Sequence, residues 1–156
     1  MSDFTIRPAV PDDAALILAL LRELADYEHL QAIFATSEAA ILRDFFGPQA
    51  VAQCDLAMAD GEAVGLATFF WTYGSFTTAR GIFVEDLFVR PAFRGRGYGK
   101  ALLAHLAAKG ADRMDWLVLD WNESAMDFYR KLGARRIEGW LPHRVEGDAL
   151  KKLGAL

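Results

Sequence analysis

A short loop reads Arg94-Gly95-Arg96-Gly97-Tyr98-Gly99-Lys100 and directly precedes an apolar helical run. The wider segment 87–111 contains five basic residues and no Asp or Glu, although the whole chain has a net charge of -4. Because the N-terminus of a helix already carries partial positive charge, clustered cations there are unfavourable unless an anion binds. Glycines let the backbone approach such an anion, and the N–H groups of the first helical turn point at it. We therefore expect this loop to hold a pyrophosphate.

The regions around the loop predict alternating strands and helices in a single domain, residues 1–156. Apolar residues at helical spacing predict that the first helix, opened by Pro11, packs one face on a core and runs to Tyr27. A turn at Asp60-Gly61 joins two apolar strands. The fold class is α/β, with a mixed sheet and helices on both faces. The predicted strands are 4–7, 54–59, 63–73, 81–89, 116–120, 137–140 and 143–146, and the later helices are 36–47, 97–114 and 122–132.

The amino-acid composition indicates which binding partners and which cellular compartment fit this protein. The acidic balance argues against a general nucleic-acid binder. Cys54 is the only cysteine, so no internal disulfide can form, which fits a cytoplasmic protein with this thiol buried. The segment Met1-Ser2-Asp3-Phe4 shows no signal pattern, and the longest apolar run, 63–73, is too short to span a membrane.

Other phosphate-binding loops fit less well. A P-loop needs glycine where Arg94 stands and Ser or Thr after Lys100, where the chain has Ala101. A dinucleotide fold needs G-x-G-x-x-G early in the chain, whereas these glycines run G-x-G-x-G and come late. That fold remains an alternative, because Asp120 ends the next predicted strand as its acidic residue should.

Two motifs together resemble the GNAT superfamily of N-acetyltransferases. The first is Arg94-x-x-Gly97-x-Gly99 between a strand and a helix. The second is the segment 121–134, Trp-Asn-Glu-Ser-Ala-Met-Asp-Phe-Tyr-Arg-Lys-Leu-Gly-Ala. The resemblance covers nearly the whole chain. It implies a GNAT-like fold, with a twisted mixed sheet and a splayed cofactor cleft, and it implies acetyl-CoA as co-substrate with no metal.

Several shorter segments look like the diamine acetyltransferase branch, which includes spermidine/spermine and thialysine acetyltransferases. One departure is the loop 73–80, whose length and composition differ from the polyamine enzymes, with Phe76 near the position of their tryptophan. The branch implies a small primary amine as substrate and a homodimer. A peptide or protein amine as substrate, or a non-catalytic coenzyme A-binding module, remain alternatives. The matching segments are Ile6–Ala9, Glu23–Glu28, Val84–Val89, Glu138–Trp140 and Val145–Leu153.

The resemblance gives the two central carboxylates a catalytic role. Glu85, assisted by Asp86, would hold the substrate ammonium and accept its proton. Residues adjacent in a regular strand point to opposite faces, so both can reach one pocket only if the strand bulges. Leu87, Phe88 and Val89 would pair their backbone with the pantetheine arm, and the Leu87 N–H would stabilise the oxyanion.

The resemblance also assigns roles at two helix ends. Tyr129 would protonate the departing coenzyme A sulfur, whereas its spacing alone favours a core tyrosine. Asn122 is either a plain N-cap or an N-cap that also hydrogen-bonds the cofactor arm. Tyr27 and Glu28 would line the amine channel with Phe76. The alternative is that Tyr27 is a core aromatic residue and Glu28 a solvated acid beside it. The cofactor set is Leu87, Phe88, Val89, Arg94, Gly95, Arg96, Gly97, Tyr98, Gly99, Lys100 and Asn122.

Overall fold

The computed structural model describes residues 3–156 and divides the chain into two compact units. The first unit ends at Leu117 and the second is Val118–Leu156. Met1 and Ser2, half of the segment predicted to lack a signal pattern, lie outside the described residues. Among the described residues, no helix is both long and apolar enough to cross a bilayer.

The first unit is built on a five-stranded sheet with the order β1-β2-β3-β4-β5. Strands β1 to β4 are antiparallel neighbours, and β5 pairs with β4 in parallel, so the sheet is mixed as predicted. The strands are β1 (Phe4–Pro8), β2 (Gln53–Ala59), β3 (Glu62–Gly74), β4 (Ala79–Val89) and β5 (Arg113–Asp115).

Three helices of the first unit connect these strands. They are α1 (Ala14–Tyr27), α2 (Glu38–Phe46) and α3 (Tyr98–Ala107), with short 3-10 turns at Pro11–Asp13, Gln31–Ile33 and Pro91–Phe93. The predicted start of α2 is confirmed, whereas the residues predicted to open α1, Pro11–Asp13, form the 3-10 turn that leads into it. The Ser37 hydroxyl accepts a hydrogen bond from the Ala40 N–H at 3.2 Å, which caps α2. The predicted turn between β2 and β3 is also confirmed, with positive φ at Asp60 and Gly61.

Helices cover both faces of the sheet, as predicted. On one face Ile17 and Leu20 of α1 and Ile41 of α2 pack with Leu56 and Leu66 of the sheet, and all five are buried. Cys54 lies in the same cluster, and its burial raises the pKa of the thiol.

On the other face, α3 meets the sheet through a buried charge. Asp55 points away from its neighbour Cys54 and lies 3.1 Å from Nε2 of His105 on α3 and 2.8 Å from Nζ of Lys109, just after α3. Because successive side chains of a strand alternate between faces, this contact places α3 opposite α1 and α2.

The predicted boundaries are wrong between residues 107 and 120, whereas the helix predicted over 122–132 is confirmed as Glu123–Lys131. The helix predicted over 97–114 ends at Ala107, because Gly110 adopts φ 88° and turns the chain back toward the sheet. The strand predicted at 116–120 is β5 at Arg113–Asp115, which places Met114 in a strand instead of a helix. Periodicity could not separate these choices, since β5 is only three residues long.

The second unit contains α4 (Glu123–Lys131) and α5 (Gly147–Gly154). The two strands predicted at 137–140 and 143–146 are absent; residues 134–146, all described, form neither helix nor strand. Apolar side chains there, including Trp140 and Leu141, are exposed, so alternation in sequence is not matched by burial on one face. Helix α5 has charges that suit the helix dipole, with Asp148 in its first turn and Lys151 and Lys152 in its last.

Candidate active site

A bulge in β4 gives the candidate site its two adjacent carboxylates. Thr68 of β3 pairs with Asp86, but Phe69 pairs with Val84, so Glu85 is an extra residue in β4. The bulge that the sequence required is therefore confirmed. Its consequence is that Glu85 and Asp86 line the same cavity instead of opposite faces of the sheet.

The cavity has a volume of about 610 Å³ and lies between α1, α2, the segment joining them, and strands β3 and β4. Four carboxylates line it, from Glu28, Asp44, Glu85 and Asp86. None of its lining residues, which all belong to the described part of the chain, is Lys, Arg or His. The rest of the wall is largely apolar and includes Ile33, Phe34, Phe45 and Phe70. Such a cavity favours a cation attached to an apolar chain.

One of the four carboxylates is already paired. Arg43 donates from Nε and Nη2 to the two oxygens of Asp44, each at 2.7 Å, and this pair lowers the pKa of the Asp44 carboxyl. The uncompensated negative charge of the cavity therefore belongs to Glu28, Glu85 and Asp86.

These three carboxylates influence one another. Burial raises the pKa of Asp86, and the charge of Glu85 adds to the rise, while a hydrogen bond donated by the Thr68 hydroxyl to Asp86 Oδ2 opposes it. Burial also raises the pKa of Glu28, with a further contribution from the charge of Asp86. A cation placed between them relieves this repulsion, and a carboxylate with a raised pKa accepts a proton more readily.

A cluster of ion pairs centred on Arg90 joins strand β4 to helix α1. Arg90, just after β4, donates to both oxygens of Glu23 on α1, from Nη2 at 2.8 Å and from Nε at 3.0 Å and 3.2 Å. Its Nη1 donates to Glu62 Oε1 at 3.0 Å and to the Ala63 carbonyl at 2.8 Å. The end of β4 and helix α1 are therefore tied together by charge-assisted hydrogen bonds.

The glycine loop, residues 94–100, has a backbone conformation suited to binding an anion. Gly97 is the N-cap of α3 with φ 84°, and Gly95 has φ 77°; both conformations are in the left-handed region that glycine favours. No atom lies within 4 Å of where a Cβ would stand at either glycine, so the loop surface is open to a ligand. The buried Tyr98 anchors the loop by stacking on Phe4, with 4.2 Å between ring centroids.

Two cations of the loop rest on aromatic rings. The Arg94 guanidinium lies 4.2 Å from the ring centroid of Tyr27, and its Nε donates to the Val89 carbonyl at 2.9 Å. Arg96 lies 5.3 Å from the ring of Phe93, and Lys100 is exposed. The loop therefore contacts the end of α1 through Tyr27.

The edge of β4 extends past its parallel neighbour. In the described pairing, β5 reaches only from Gly81 to Phe83, whereas β4 continues to Val89. The backbone of Leu87, Phe88 and Val89 pairs on its other side with β3. An extended ligand could add to this edge in the manner of an extra strand.

Tyr129 and Asn122 belong to the second unit, whereas Glu28, Glu85 and Asp86 line the cavity of the first. Asn122 caps α4: its Oδ1 accepts the Ala125 N–H at 3.2 Å, and the side chain is buried. Tyr129 is half-buried on α4, and its ring centroid lies 5.2 Å from that of Phe128.

Two residues predicted at the amine site lie elsewhere in the first unit. Tyr27 is not a lining residue of the cavity and instead stacks against Arg94. Phe76 is 99% exposed in the connection between β3 and β4, and it does not line the cavity. Sequence reasoning missed Thr68 and Asp44, because their place at the cavity depends on strand register and helix packing, for which no local motif exists.

Comparisons with known proteins identify the family and the fold of the chain. A sequence model described as the acetyltransferase (GNAT) family matches residues 16–134. Thialysine N-epsilon-acetyltransferase of Sus scrofa is 36% identical over 168 aligned residues, with 98% of each chain covered. Spermidine/spermine N(1)-acetyltransferase-like protein 1 of Homo sapiens is 31% identical, covering 96% of this chain and 24% of that protein. Among solved structures, an integron cassette protein from V. cholerae superposes with a TM-score of 0.81 at 25% identity, covering 97% of both chains.

Proposed function

The chain belongs to the acetyltransferase (GNAT) family and is an N-acetyltransferase, and from that premise we propose that it transfers the acetyl group of acetyl-CoA directly to a small primary amine. The observation that carries the proposal is the cavity whose uncompensated charges are those of Glu28, Glu85 and Asp86. An alkylammonium has a pKa near 10, so at neutral pH it arrives as a cation that must lose a proton before it can attack. The three carboxylates both attract this cation and provide an acceptor for its proton.

In the proposed reaction Glu85 and Asp86 together bind the ammonium and accept its proton. Glu85 is the more exposed of the two, so it meets the ammonium first and takes its proton directly or through a water molecule. Asp86, with its raised pKa, assists as a neighbouring acceptor. Glu28 attracts a second positive charge on the same substrate.

The glycine loop and the end of β4 also suit acetyl-CoA, the second substrate of the proposed reaction. Acetyl-CoA would supply the acetyl thioester, and its pyrophosphate suits the glycine loop, where two left-handed glycines leave open space at a helix N-terminus beside Arg94, Arg96 and Lys100. Backbone groups of Leu87 to Val89 would hold the pantetheine arm, and the Leu87 N–H would stabilise the oxyanion. Asn122 would support the arm.

Atoms and protons balance in this scheme. The amine nitrogen forms a bond to the thioester carbon, and the carbon–sulfur bond breaks. One ammonium proton goes to the carboxylate pair before attack, a second leaves the nitrogen once the new carbon–nitrogen bond has formed, and the third stays on the amide. The hydroxyl of Tyr129 gives its proton to the departing sulfur, and the second nitrogen proton, passed through solvent, restores that hydroxyl. No acyl-enzyme is required.

Within this function, the cavity favours a diamine or polyamine over an amino acid. A second ammonium would meet Glu28, whereas the carboxylate of an amino acid would meet a cavity without a basic lining residue. Ornithine and 1,4-diaminobutane form a matched pair, because they differ only in the carboxylate. We expect a higher kcat/KM for 1,4-diaminobutane, and a clear preference for ornithine would contradict this assignment.

The proposal also covers the state of the whole protein. The family match over residues 16–134 includes the beginning of the second unit, and the thialysine acetyltransferase alignment covers 98% of the chain, which supports one catalytic domain over residues 1–156. The likeness to diamine acetyltransferases supports a homodimer, and the single cysteine fits a cytoplasmic location. Sedimentation of the purified protein would test the dimer.

The central experiment measures thiol release from acetyl-CoA with a panel of amines. Glu85→Gln and Tyr129→Phe should each lower turnover by ~10²–10⁴-fold, as expected for the loss of an acid or base. Glu38→Gln, an exposed acid at the start of α2, provides the matched control and should keep normal turnover. Normal rates in either of the first two variants would refute the assigned role, and no thiol release with any amine would refute the function.

A further inference from the structure

A buried hydroxyl faces the carboxylate cavity from the neighbouring strand. Thr68 on β3 is only 1% exposed, and its hydroxyl donates a hydrogen bond to Asp86 Oδ2. Building on the proposed function, we infer that Thr68 is a positioning residue, which fixes the Asp86 carboxylate in the cavity and holds it in its charged form for the incoming amine.

The pairing of these two residues is created by the bulge. Phe69 faces Val84, so in a regular antiparallel register Thr68 would face Glu85. The extra residue in β4 shifts the register by one position, and Thr68 faces Asp86 instead. The same local irregularity therefore brings two acids to the cavity and gives one of them a dedicated hydrogen-bond donor.

The residue type at position 68 also indicates a role beyond packing. Valine has nearly the same shape, suits a buried strand and carries no polar group to desolvate. A hydroxyl in that position is costly unless it is hydrogen-bonded, and its partner here is Asp86. Because threonine is branched at Cβ, its side chain has few rotamers and directs the hydroxyl well.

The electrostatics around Asp86 make this donor important. The titratable groups near Asp86 are Glu85 on its own strand, Glu28 just after α1 and Cys54 on β2, and Asp44 of α2 lines the same cavity. Burial and the neighbouring negative charge of Glu85 favour the protonated form of Asp86, and the Thr68 hydroxyl acts in the opposite direction. Removing the hydroxyl should therefore move the titration of Asp86 to higher pH.

The direct test follows the Asp86 carboxyl carbon by NMR in ¹³C-aspartate-labelled protein without substrates, with the resonance assigned from Asp86→Asn. Thr68→Val should raise the midpoint of its titration by about one to two pH units, the range expected for one hydrogen bond to a charged group. Thr68→Ser keeps the hydroxyl and should titrate like the unmodified protein. The matched control is Thr72→Val on the same strand, because the Thr72 hydroxyl oxygen is buried without a hydrogen-bond partner among the described residues.

Activity provides the second readout. With an amine that the enzyme acetylates, the acidic limb of the kcat/KM profile should move to higher pH in Thr68→Val, and not in Thr68→Ser or Thr72→Val. An unchanged Asp86 titration in Thr68→Val would overturn the inference. If no amine were acetylated, the proposed function would fail while the NMR titration still decided the role of Thr68.

One measurement does not depend on the valine variant folding. In the unmodified protein the buried Thr68 hydroxyl proton should exchange slowly, and its chemical shift should follow the Asp86 titration. A hydroxyl proton that does not respond to that titration would contradict the inference by itself.

Discussion

Replacing Tyr27 with leucine should weaken coenzyme A binding, even though the resemblance to diamine acetyltransferases assigns Tyr27 to the amine channel. The Arg94 guanidinium lies 4.2 Å from the Tyr27 ring centroid, and its Nε is held by the Val89 carbonyl at 2.9 Å. The ring therefore keeps a cation of the pyrophosphate loop in place before the cofactor arrives. Leucine would retain most of the apolar volume and remove the aromatic face.

The size of the effect follows from the exposure of the pair. Tyr27 is 37% exposed, so its cation–π contact with Arg94 belongs to the weaker, solvated class, worth about 0.5–1 kcal/mol. If this energy preorganises Arg94 for the phosphates, its loss raises the dissociation constant by about two- to fivefold. Tyr27→Phe keeps the ring and should bind coenzyme A normally.

Isothermal titration with coenzyme A measures this difference directly, and steady-state kinetics with varied amine provides the comparison. We expect a weaker cofactor affinity with an unchanged KM for the amine, because Tyr27 does not line the cavity. A raised amine KM with normal coenzyme A affinity would refute the reasoning and restore the amine-channel role. Tighter cofactor binding would also refute it, since the stack would then be a contact that the cofactor has to break.

Three further predictions follow from the geometry of the first unit. Because burial raises the pKa of Asp86, the folded protein binds a proton there more readily than the unfolded chain, so the charged carboxylate costs stability above the raised pKa. Asp86→Asn should therefore raise Tm at neutral pH while lowering turnover. The gain in Tm should vanish as the pH falls through the raised pKa of Asp86 to the ordinary aspartate range. A lower Tm at neutral pH would contradict this prediction. Arg90→Gln should lower the free energy of unfolding by about 1–2 kcal/mol in urea titrations, because it breaks the paired hydrogen bonds to Glu23. Gly97→Ala should cost about 1–2 kcal/mol of stability through its positive φ and weaken coenzyme A binding, whereas Gly61→Ala, at a similar φ, should cost stability alone.

Much of the first unit could be predicted from the sequence because its signals are local. Apolar spacing defined α1, the Ser37 cap defined the start of α2, and Asp60-Gly61 defined the hairpin between β2 and β3. The boundaries between residues 107 and 120 were wrong because they depend on which short segment finds a partner strand. Met114 could continue a helix or pair with Ile82, and only the sheet favours the second choice.

The same division applies to the candidate site. The glycine loop and the adjacent acids were visible as motifs, and the need for a bulge followed from the alternation of side chains along a strand. The cavity itself was not visible, because Glu28 and Glu85 are far apart in the chain and meet only through the packing of α1 on the sheet.

The amino-acid sequence by itself determined the chemistry available to this protein: a cationic glycine turn at a helix start, two neighbouring carboxylates and the family to which they belong. The tertiary structure alone decided the partnerships, such as Thr68 with Asp86 and Arg94 with Tyr27. The physical reason is that a one-residue shift of strand register, or a small change in helix packing, exchanges such partners without altering any local pattern in the chain.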